Sequence, residues 1–466
     1  MIKGISLKAN PTKEQKIILS QWMGCARFIW NAKCAEEDYL LSFAKKYLPV
    51  KTYPKANATF SQYKSKGLSP WLFDCPSQIL RNSATNWYKT YQSYLKEICG
   101  KPKIKRKGCT ESIYLTRELF KFEVCADGVK RLRIGTKKRD PGYLSIKNHR
   151  KYKEPNSIYI KKKNGCYSVS FCYDDEEDLN LPTKKQHLEY LKDCKREELE
   201  SMTVGIDRGV ARPVQVEDYF FDFTEEQKRK KKAKERYVRR CQRRLSKQKK
   251  GSNKRKRTKL KLSKAYEKIA NIRKDFCHKT SRSIVDNEKT KVIVLEDLKT
   301  SNMTKKPKPV LCRSGKGWKK NRRRAKAGLN KSILDKGWHQ LELFLEYKAT
   351  NAGKALFKVS AHYTSQECAD CGHTHPNNRR NQKFFSCENC GHSGNADENA
   401  AKVIKKRAIN LILNSGTELS KRGILLDIGR GAVSKSSEAI ATDARSKETS
   451  KKKKQTVTVC FGSLSL

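Results

Sequence analysis

The chain has 466 residues, with 104 Lys and Arg against 48 Asp and Glu, so its formal net charge is +56 at pH 7. Only 36% of the residues are hydrophobic, which supports modest cores in about two to four domains. Any single basic run can be a solvated surface, but an excess along the whole chain indicates a long polyanion, that is, a nucleic acid. The 17 cysteines are mostly isolated, and no apolar run is long enough for export or a membrane span, so we expect a cytoplasmic protein with no membrane partner.

The front of the chain predicts a strand followed by helices. Residues 2–9 alternate between apolar and polar as a strand does, and a helix is expected to begin after Pro11. A second helical run begins near Pro76 and is rich in aromatic residues. Aromatic side chains suit stacking on bases, although packing in a core is their more common use.

Two β-hairpins are predicted between residues 112 and 173. Asp127-Gly128 and Asn164-Gly165 each separate two runs of alternating apolar residues, which is a strong short-range signal of a hairpin. Together with the first strand, these hairpins predict a small β-barrel. We expect the barrel at 1–34 and 109–180, with a helical insertion at 35–108.

A strongly basic segment follows, with 20 Lys or Arg among the 34 residues of 228–261. A Gly-Ser-Asn turn divides it, so we predict two basic helices. Each helix carries an apolar stripe, which predicts one packed face and one face that can meet phosphates. The candidate nucleic-acid contacts here are Arg243, Arg244, Lys254 and Arg255. The composition of residues 414–466, rich in Ser, Thr and Lys, predicts a disordered tail.

Four cysteines have the spacing of a structural zinc site. Cys368 and Cys371 are separated by two residues, as are Cys387 and Cys390, and a glycine follows each pair. This spacing lets a tight turn aim two thiolates at one ion, and four thiolates complete a tetrahedral site. The alternatives are four unligated thiols or a redox pair, and the presence of two matched pairs favours zinc. The nearby histidines that we expect to be spectators are His373, His375 and His392.

Three acidic residues stand at the ends of predicted elements. Asp207 ends an apolar run, Glu296 ends another, and Asp397 lies at the start of a helix. Each acid alone is most often a cap or turn residue, so the inference depends on all three together. A phosphodiester nuclease needs several carboxylates to hold two magnesium ions about 3.5 to 4 Å apart, and oxygen ligands suit Mg²⁺. The three acids therefore predict a metal-dependent nuclease site.

Several motifs occur in a fixed order between residues 200 and 413 and are interleaved with the cysteines. They are Gly205-Ile206-Asp207, Val294 to Leu298, Lys331 to Trp338, Tyr363 to Gln366 and Asn395 to Ala401. The front of the chain adds Asn10 to Gln15, Gly24 to Asn31 and Pro76-Ser77-Gln78. Together these motifs resemble the TnpB family of RNA-guided nucleases, which insertion sequences encode and which are related to compact type V CRISPR effectors. The chain departs from the family pattern at Arg208 and at Asn395-Ala396.

This resemblance implies an α+β multidomain fold. An RNase H-like RuvC nuclease domain is expected at 200–365 and 391–413, with a zinc ribbon inserted at 366–390. A β-barrel wedge domain with a helical recognition insertion is expected in front of it. By the same resemblance, the catalytic and magnesium-binding acids are Asp207, Glu296 and Asp397, and the zinc ligands are Cys368, Cys371, Cys387 and Cys390.

The resemblance also implies the activity. We expect an RNA-guided DNA endonuclease that cuts next to a short flanking motif through a single metal-dependent RuvC site. The implied cofactors are Mg²⁺, Zn²⁺ and a guide RNA, and the implied partners are that RNA and double-stranded target DNA. Ser77 and Gln78 are the predicted contacts to the flanking motif. The protein is expected to act as a monomer in a prokaryotic cytoplasm and to join the nucleoid when it is on its target.

Three other functions are open to the sequence. The guide can come from a separately encoded CRISPR array, which would make the protein a type V effector. An RNA-guided repressor would bind DNA without cutting it, and the three acids argue against that function. A zinc-ribbon RNA-binding protein of ribosomal type would explain the charge and the cysteines, but it would leave the ordered acids unexplained.

Overall fold

A computed structural model of the chain describes residues 2–47, 49, 56–108, 110–124, 130–136, 139–149, 151–174, 184–312, 317–319, 321–414 and 424–425. All of them belong to one unit, Met1–Leu426. The helices are α1 (Lys13–Tyr47), α2 (Ser77–Leu95), α3 (Lys184–Asp193), α4 (Arg196–Met202), α5 (Glu225–Lys247), α6 (Asn253–Asp286), α7 (Thr300–Met303), α8 (Arg323–Lys336), α9 (Trp338–Asn351) and α10 (Ala396–Asn414).

The strands belong to two large sheets and two short hairpins. The strands of the first sheet are β1 (Ile2–Asn10), β2 (Thr110–Thr116), β3 (Phe120–Val124), β4 (Lys130–Thr136), β5 (Arg139–Ile146), β6 (Ser157–Lys163) and β7 (Cys166–Asp174). Those of the second are β8 (Thr203–Asp207), β9 (Val214–Val216), β10 (Tyr219–Phe221), β11 (Val292–Glu296), β14 (Ala355–Val359) and β17 (Ile424–Leu425). The short hairpins are β12 (Val310–Leu311) with β13 (Trp318–Lys319), and β15 (Phe384–Ser386) with β16 (Ser393–Asn395).

The first sheet has the strand order β2-β6-β7-β1-β5-β4-β3, and its neighbours are antiparallel. The predicted hairpin at Asn164-Gly165 is confirmed, because both residues have positive φ angles (52° and 82°), as a two-residue hairpin turn requires. β3 and β4 also pair as predicted, although the Asp127-Gly128 turn lies outside the described residues. Alternate residues of these strands and the apolar stripe of α1 form one core.

Helix α1 is continuous from Lys13 to Tyr47, so the predicted boundary between residues 34 and 35 lies inside a helix. The strand at 2–9 and the helix near Pro76 are found as β1 and α2. The barrel and the division into domains stay predictions. The predicted tail lies outside the described residues except for Asn414 and β17.

The second sheet has the order β10-β9-β8-β11-β14-β17 and places helices on both of its faces. β8, β11 and β14 are parallel, and β11 is buried along its whole length, as a central parallel strand should be. Ile293 and Leu295 pack with α6 and α9 on one face, whereas Val292 and Val294 pack with α10 on the other. The described part of the chain therefore mixes α and β structure, as predicted.

The two predicted basic helices are α5 and α6, joined by a turn at Gly251, where φ is +87°. Val238 of α5 packs on Ala265 and Ile269 of α6, while most Lys and Arg of both helices are exposed. The buried turn residue Asn164 contacts α6, because its side chain donates to Glu267 (2.8 Å) and accepts from Ser263 (2.7 Å). No helix in the described part of the chain combines the length and the apolar character of a membrane span.

Candidate functional site

Two of the predicted acids end neighbouring strands. β8 and β11 are parallel, and Ile206 pairs with Leu295, so Asp207 and Glu296 follow in register at the same edge. The carboxyl ends of parallel strands are where open α/β sheets form their binding sites. The pairing of β8 with β11 thus brings together two acids that are 89 positions apart in the chain.

The third acid reaches this edge on α10. Asp397 lies in the first turn of that helix, and the side chain of Asn395 accepts hydrogen bonds from the backbone N–H of Asp397 (2.9 Å) and of Glu398 (3.4 Å). Asn395 is therefore the N-cap residue that starts the helix where the acid is needed. α10 packs directly over Gly205 of β8, where a Cβ atom would meet the helix backbone.

The three carboxylates interact electrostatically. Burial, together with repulsion from Glu296 and Asp397, raises the pKa of Asp207 to about 7. Burial also raises the pKa of Glu296, and this shift is opposed by the hydrogen bond that Thr364 donates to Glu296 Oε1. Clustered acids with raised pKa values are typical of functional sites.

The acids do not form a closed cage. Among the described residues, only the four cysteines form a group of three or more potential ligands whose ligand atoms all lie within 4.8 Å of one another. Asp397 Oδ1 is instead paired with Arg379 Nη2 at 3.1 Å. The oxygens of the three acids therefore do not all lie within that distance of one another, and one of the acids is engaged by a cation of the protein itself.

Two arginines of the site were not predicted. Arg379 comes from a single helical turn between the cysteine pairs, and its positive charge partly opposes the rise in pKa of both Asp207 and Glu296. Arg208 is buried behind the acids, where it donates to the backbone oxygen of Glu296 and to Glu342 Oε2 (2.8 Å). The only sequence signal for Arg208 was its departure from the family pattern, and Arg379 had none.

The cysteine quartet forms one cluster. The Sγ atoms of Cys368 and Cys390 are 3.6 Å apart, as are those of Cys371 and Cys387. Two sulfurs bound to one tetrahedral zinc at 2.3 Å would be about 3.8 Å apart, so the cluster fits a zinc ion. Hydrogen bonding by the backbone N–H of His373 lowers the pKa of the Cys371 thiol to about 6, whereas burial raises the pKa of the Cys368 thiol to about 12, so the fit to zinc depends on the geometry of the four sulfurs.

Each half of the quartet is a tight turn of the same kind. The glycine after each pair donates its N–H to the first cysteine of that pair, from Gly372 to Cys368 O (3.0 Å) and from Gly391 to Cys387 O (3.1 Å). Both glycines have positive φ angles, 76° and 72°, which other residues adopt only with strain. Of the nearby histidines, His375 contacts Glu388 and His392 contacts Asp370.

The predicted nucleic-acid contacts lie at three places. Ser77 is exposed and Gln78 is half-buried at the start of α2, and Arg243 and Arg244 are exposed on α5. Lys254 is exposed at the start of α6. Arg255 has a structural contact, because it donates to the carbonyl oxygens of Leu245 and Gln248 and so closes the turn between α5 and α6. Nucleic-acid binding by these residues stays a prediction.

Three family models match parts of the chain. Residues 170–306 match the OrfB_IS605 model, described as a probable transposase, and residues 1–36 match its companion HTH_OrfB_IS605, described as a helix-turn-helix domain. Residues 338–404 match the TNB domain of Cas12f1-like proteins. This last segment includes the cysteine cluster and Asp397.

Two curated relatives align with most of the chain, and a third aligns with part of it. The "Putative RNA-guided DNA endonuclease InsQ" of Escherichia coli (strain K12) is 29% identical over 408 residues, which are 86% of this chain and 91% of that protein. A protein of Streptomyces pristinaespiralis with the same description, but without the name InsQ, is 25% identical over 84% of this chain and 86% of its own length. The CRISPR-associated endodeoxyribonuclease Cas12f1 of Sulfoacidibacillus thermotolerans is 33% identical over 150 residues, which are 32% of this chain and 30% of that protein.

Solved structures also align with the chain at low similarity. The mini-RNA-guided endonuclease CRISPR-Cas_phi3 is 10% identical, with a TM-score of 0.46 over 89% of this chain and 93% of that one. The Cas12f1-sgRNA-target DNA complex is 15% identical, with a TM-score of 0.30 over 88% of this chain and 100% of that one. The family models thus match three separate segments of the chain, and two curated relatives that are named as putative RNA-guided DNA endonucleases align with more than four fifths of it.

Proposed function

We propose that the protein is an RNA-guided DNA endonuclease that cuts target DNA next to a short flanking motif at a single RuvC-type site. The observation that carries this proposal is the convergence of Asp207, Glu296 and Asp397 at one edge of the second sheet. Curated relatives that align with more than four fifths of the chain are named for the same activity.

The donor chemistry of this site fits Mg²⁺. Asp207, Glu296 and Asp397 supply carboxylate oxygens, the ligands that hard divalent ions prefer. We propose that these acids hold two such ions, which when bound would stabilise the charge that develops on the phosphate oxygens. Arg379 pairs with Asp397 at 3.1 Å, and a guanidinium at this place would be able to bind a phosphate oxygen of the DNA.

Several finer assignments belong to the same proposal. The RuvC domain would comprise 200–365 and 391–413, with a zinc ribbon at 366–390. The first sheet would form the wedge barrel, and Ser77 and Gln78 at the start of α2 would read the flanking motif. The exposed Lys and Arg of α5 and α6 would bind the guide RNA and the RNA–DNA duplex through their phosphates. Such a protein would act in the cytoplasm as a monomer.

The test uses the full-length protein purified with the RNA that accompanies it from its host. Sequencing this RNA identifies the guide, and its genomic origin separates a transposon guide from a CRISPR array. A plasmid that carries the matching target is then incubated with the complex and Mg²⁺. We expect the wild type to cut the plasmid, whereas Asp207→Asn, Glu296→Gln and Asp397→Asn should bind the target without cutting it.

Asp297→Asn is the matched control. This acid directly follows Glu296, but its side chain faces Lys358 (3.8 Å) rather than the three acids, so its variant should cut normally. If the wild-type complex slowed the migration of the target DNA in a gel but never cut it, the result would contradict the proposal and favour an RNA-guided repressor. Normal cutting by any of the three acid variants would remove that acid from the site.

A further inference from the structure

A row of paired residues runs from the acids to the edge of the second sheet. Asp207 of β8 pairs with Gln215 of β9, and Gln215 pairs with Phe220 of β10. Residues that are directly paired across antiparallel strands carry their side chains on the same face. Since neighbouring strands lie about 4.8 Å apart, Phe220 is about 10 Å from Asp207 along this row.

This face is the one that α10 covers. Gly205, two residues before Asp207, lies against α10, and Arg212, just before β9, pairs with Glu398 of that helix at 3.0 Å. The neighbours of Phe220 point to the opposite face, where Phe221 packs against the core of the sheet. Phe220 therefore lies on the same side of the sheet as Asp397.

The ring of Phe220 is presented to solvent beside a fixed cation. The residue is 51% exposed, and the guanidinium carbon of Arg212 lies 4.7 Å from the ring centroid. Arg212 is held in place by Gln215 Oε1 (2.9 Å) and Glu398 Oε1 (3.0 Å). An open aromatic ring next to an arginine is the chemistry with which proteins hold unpaired nucleobases.

The acidic side chains around this ring do not oppose a polyanion. Glu217 pairs with Lys405 at 3.1 Å, Asp218 pairs with Lys402 at 3.2 Å, and Glu398 pairs with Arg212. Each of these three negative charges is thus balanced by a cation of its own. A DNA strand that leaves the acids along this row would meet paired charges and an exposed ring.

We infer that Phe220 and Arg212 form a stacking platform for one nucleobase of the single-stranded DNA that is being cut. Because the rise per nucleotide is about 3.4 Å in a duplex strand and longer in an extended single strand, the stacked base would lie at most about three nucleotides from the scissile phosphate. This inference rests on the proposed function and adds a binding residue to it. Phe220 holds the strand and takes no part in the chemistry.

The experiment pairs a protein variant with a missing base. Single-stranded DNA exposed in the guide complex carries one abasic nucleotide, moved stepwise through the five positions on each side of the cut. In the wild type, an abasic nucleotide at one of these positions should lower kcat/KM by roughly 5- to 140-fold, which corresponds to the loss of one stacked base. Phe220→Ala should show the same loss on intact DNA and no further loss at that position, and Phe220→Trp should restore the wild-type pattern.

Tyr219→Ala is the matched control, because Tyr219 is a similarly exposed aromatic (46%) on the same strand but on the opposite face. A second readout, quenching of 2-aminopurine placed at the same position, is measured in Ca²⁺ and needs no cleavage. A complex that never cuts would therefore count against the proposed function and leave the platform to be decided by fluorescence. Equal abasic profiles, or equal quenching, for Phe220→Ala, Tyr219→Ala and the wild type would overturn the platform.

Discussion

Gly205 lies so close to Ala401 that a Cβ atom on the glycine would stand 2.1 Å from the carbonyl oxygen of that alanine. The backbone nitrogen of Lys405 would be only 2.8 Å away. Helix α10 is thus seated directly on β8, which lets the first turn of the helix place Asp397 beside Asp207. Any other residue at position 205 would push the helix away from the strand.

We therefore expect Gly205→Ala to reduce both stability and cutting. Inserting a methyl group into a packed contact costs about 1 to 3 kcal/mol, and a displaced α10 would move Asp397 away from the other acids. Thermal unfolding and single-turnover cleavage measure the two effects. Gly4→Ala is the control, since a Cβ atom on that strand glycine would have only Cys172 Sγ within 4 Å, at 3.9 Å. Wild-type behaviour of Gly205→Ala would show that the contact does not position Asp397.

The raised pKa of Asp207 predicts a pH-dependent cost to stability. The pKa is about 7 in the folded protein against an ordinary value of 3.8, so between these values the folded state binds more protons than the unfolded chain. The stability of the metal-free protein should then fall as pH rises from about 4 to 7. Above pH 7 the cost is fully present, because Asp207 is charged next to Glu296 and Asp397.

Asp207→Asn should remove this cost. In EDTA we expect the variant to unfold at a higher temperature than the wild type at pH 8, by about 2 to 4 °C for each kcal/mol of cost that is removed, with the difference vanishing near pH 4. Differential scanning fluorimetry across this pH range measures it, with Asp297→Asn as the control acid. Wild-type and Asp207→Asn melting temperatures that differ by the same amount at every pH would contradict the assignment.

The cysteine cluster is tied to the helix that carries Asp397. The side chain of Asn399 accepts from the backbone N–H of Ala369 (2.9 Å) and donates to Glu367 O (2.7 Å), and Arg407 binds the Glu367 side chain. These contacts join the first cysteine turn to α10. Loss of zinc from the cysteine cluster should therefore disturb the position of Asp397, because these hydrogen bonds connect the cluster to its helix.

We expect Cys371→Ser to release zinc and to weaken DNA cutting by at least tenfold. Cys371 is exposed, and surface substitutions usually change stability by less than 0.5 kcal/mol, so a large effect would have to come from the lost ligand. Atomic emission gives the zinc content, and the plasmid assay gives the activity. Cys172→Ser, at another exposed cysteine in β7, should change neither. A zinc-free but fully active Cys371→Ser protein would break the predicted coupling.

Arg208 fixes the ends of two strands behind the acids. Its guanidinium donates to the backbone oxygen of Glu296 and to Glu342, which also pairs with Lys358 at 2.5 Å. Breaking one partner of a buried ion pair typically costs about 3 to 5 kcal/mol. We expect such a loss in urea unfolding for Arg208→Met, with slower cutting, because Glu296 would lose its backbone anchor.

Arg208→Lys separates charge from geometry. Lysine keeps the positive charge but lacks the planar fork that reaches two acceptors, so its stability should lie between those of the wild type and Arg208→Met. If Arg208→Met had wild-type stability, the contacts of Arg208 with Glu296 and Glu342 would not stabilise the ends of these strands.

The features that the sequence predicted best depend on a few adjacent residues. The paired cysteines and the glycines after them describe a turn of five residues, and Asn164-Gly165 describes a turn of two. In both cases the backbone conformation is set by local preferences, above all by the positive φ angles that glycine and asparagine tolerate. The two apolar runs that end at Asp207 and Glu296 were also predictable from a few adjacent residues, because a short run of apolar residues is typical of a buried strand.

The division of the chain into larger units stays a prediction. Helix α1 passes through the position where the wedge and its insertion were separated, because its helical spacing continues beyond Cys34 and composition alone does not mark where a domain ends. Arg255 has the appearance of a phosphate contact in a basic run, yet in the folded chain it caps α5. A basic side chain can serve either purpose, and only its neighbours decide between them.

The zinc-type cysteine cluster, the hairpins, the two basic helices and the three candidate acids could be predicted from the sequence, because each depends on a short segment of the chain. The contacts that the fold adds are the pairing of β8 with β11, the packing of α10 on Gly205, the pairing of Arg379 with Asp397, and the shared row of Phe220 and Asp207. These relationships join segments tens to hundreds of residues apart. They arise from strand pairing and close packing, which depend on the whole fold and leave no mark in any one stretch of sequence.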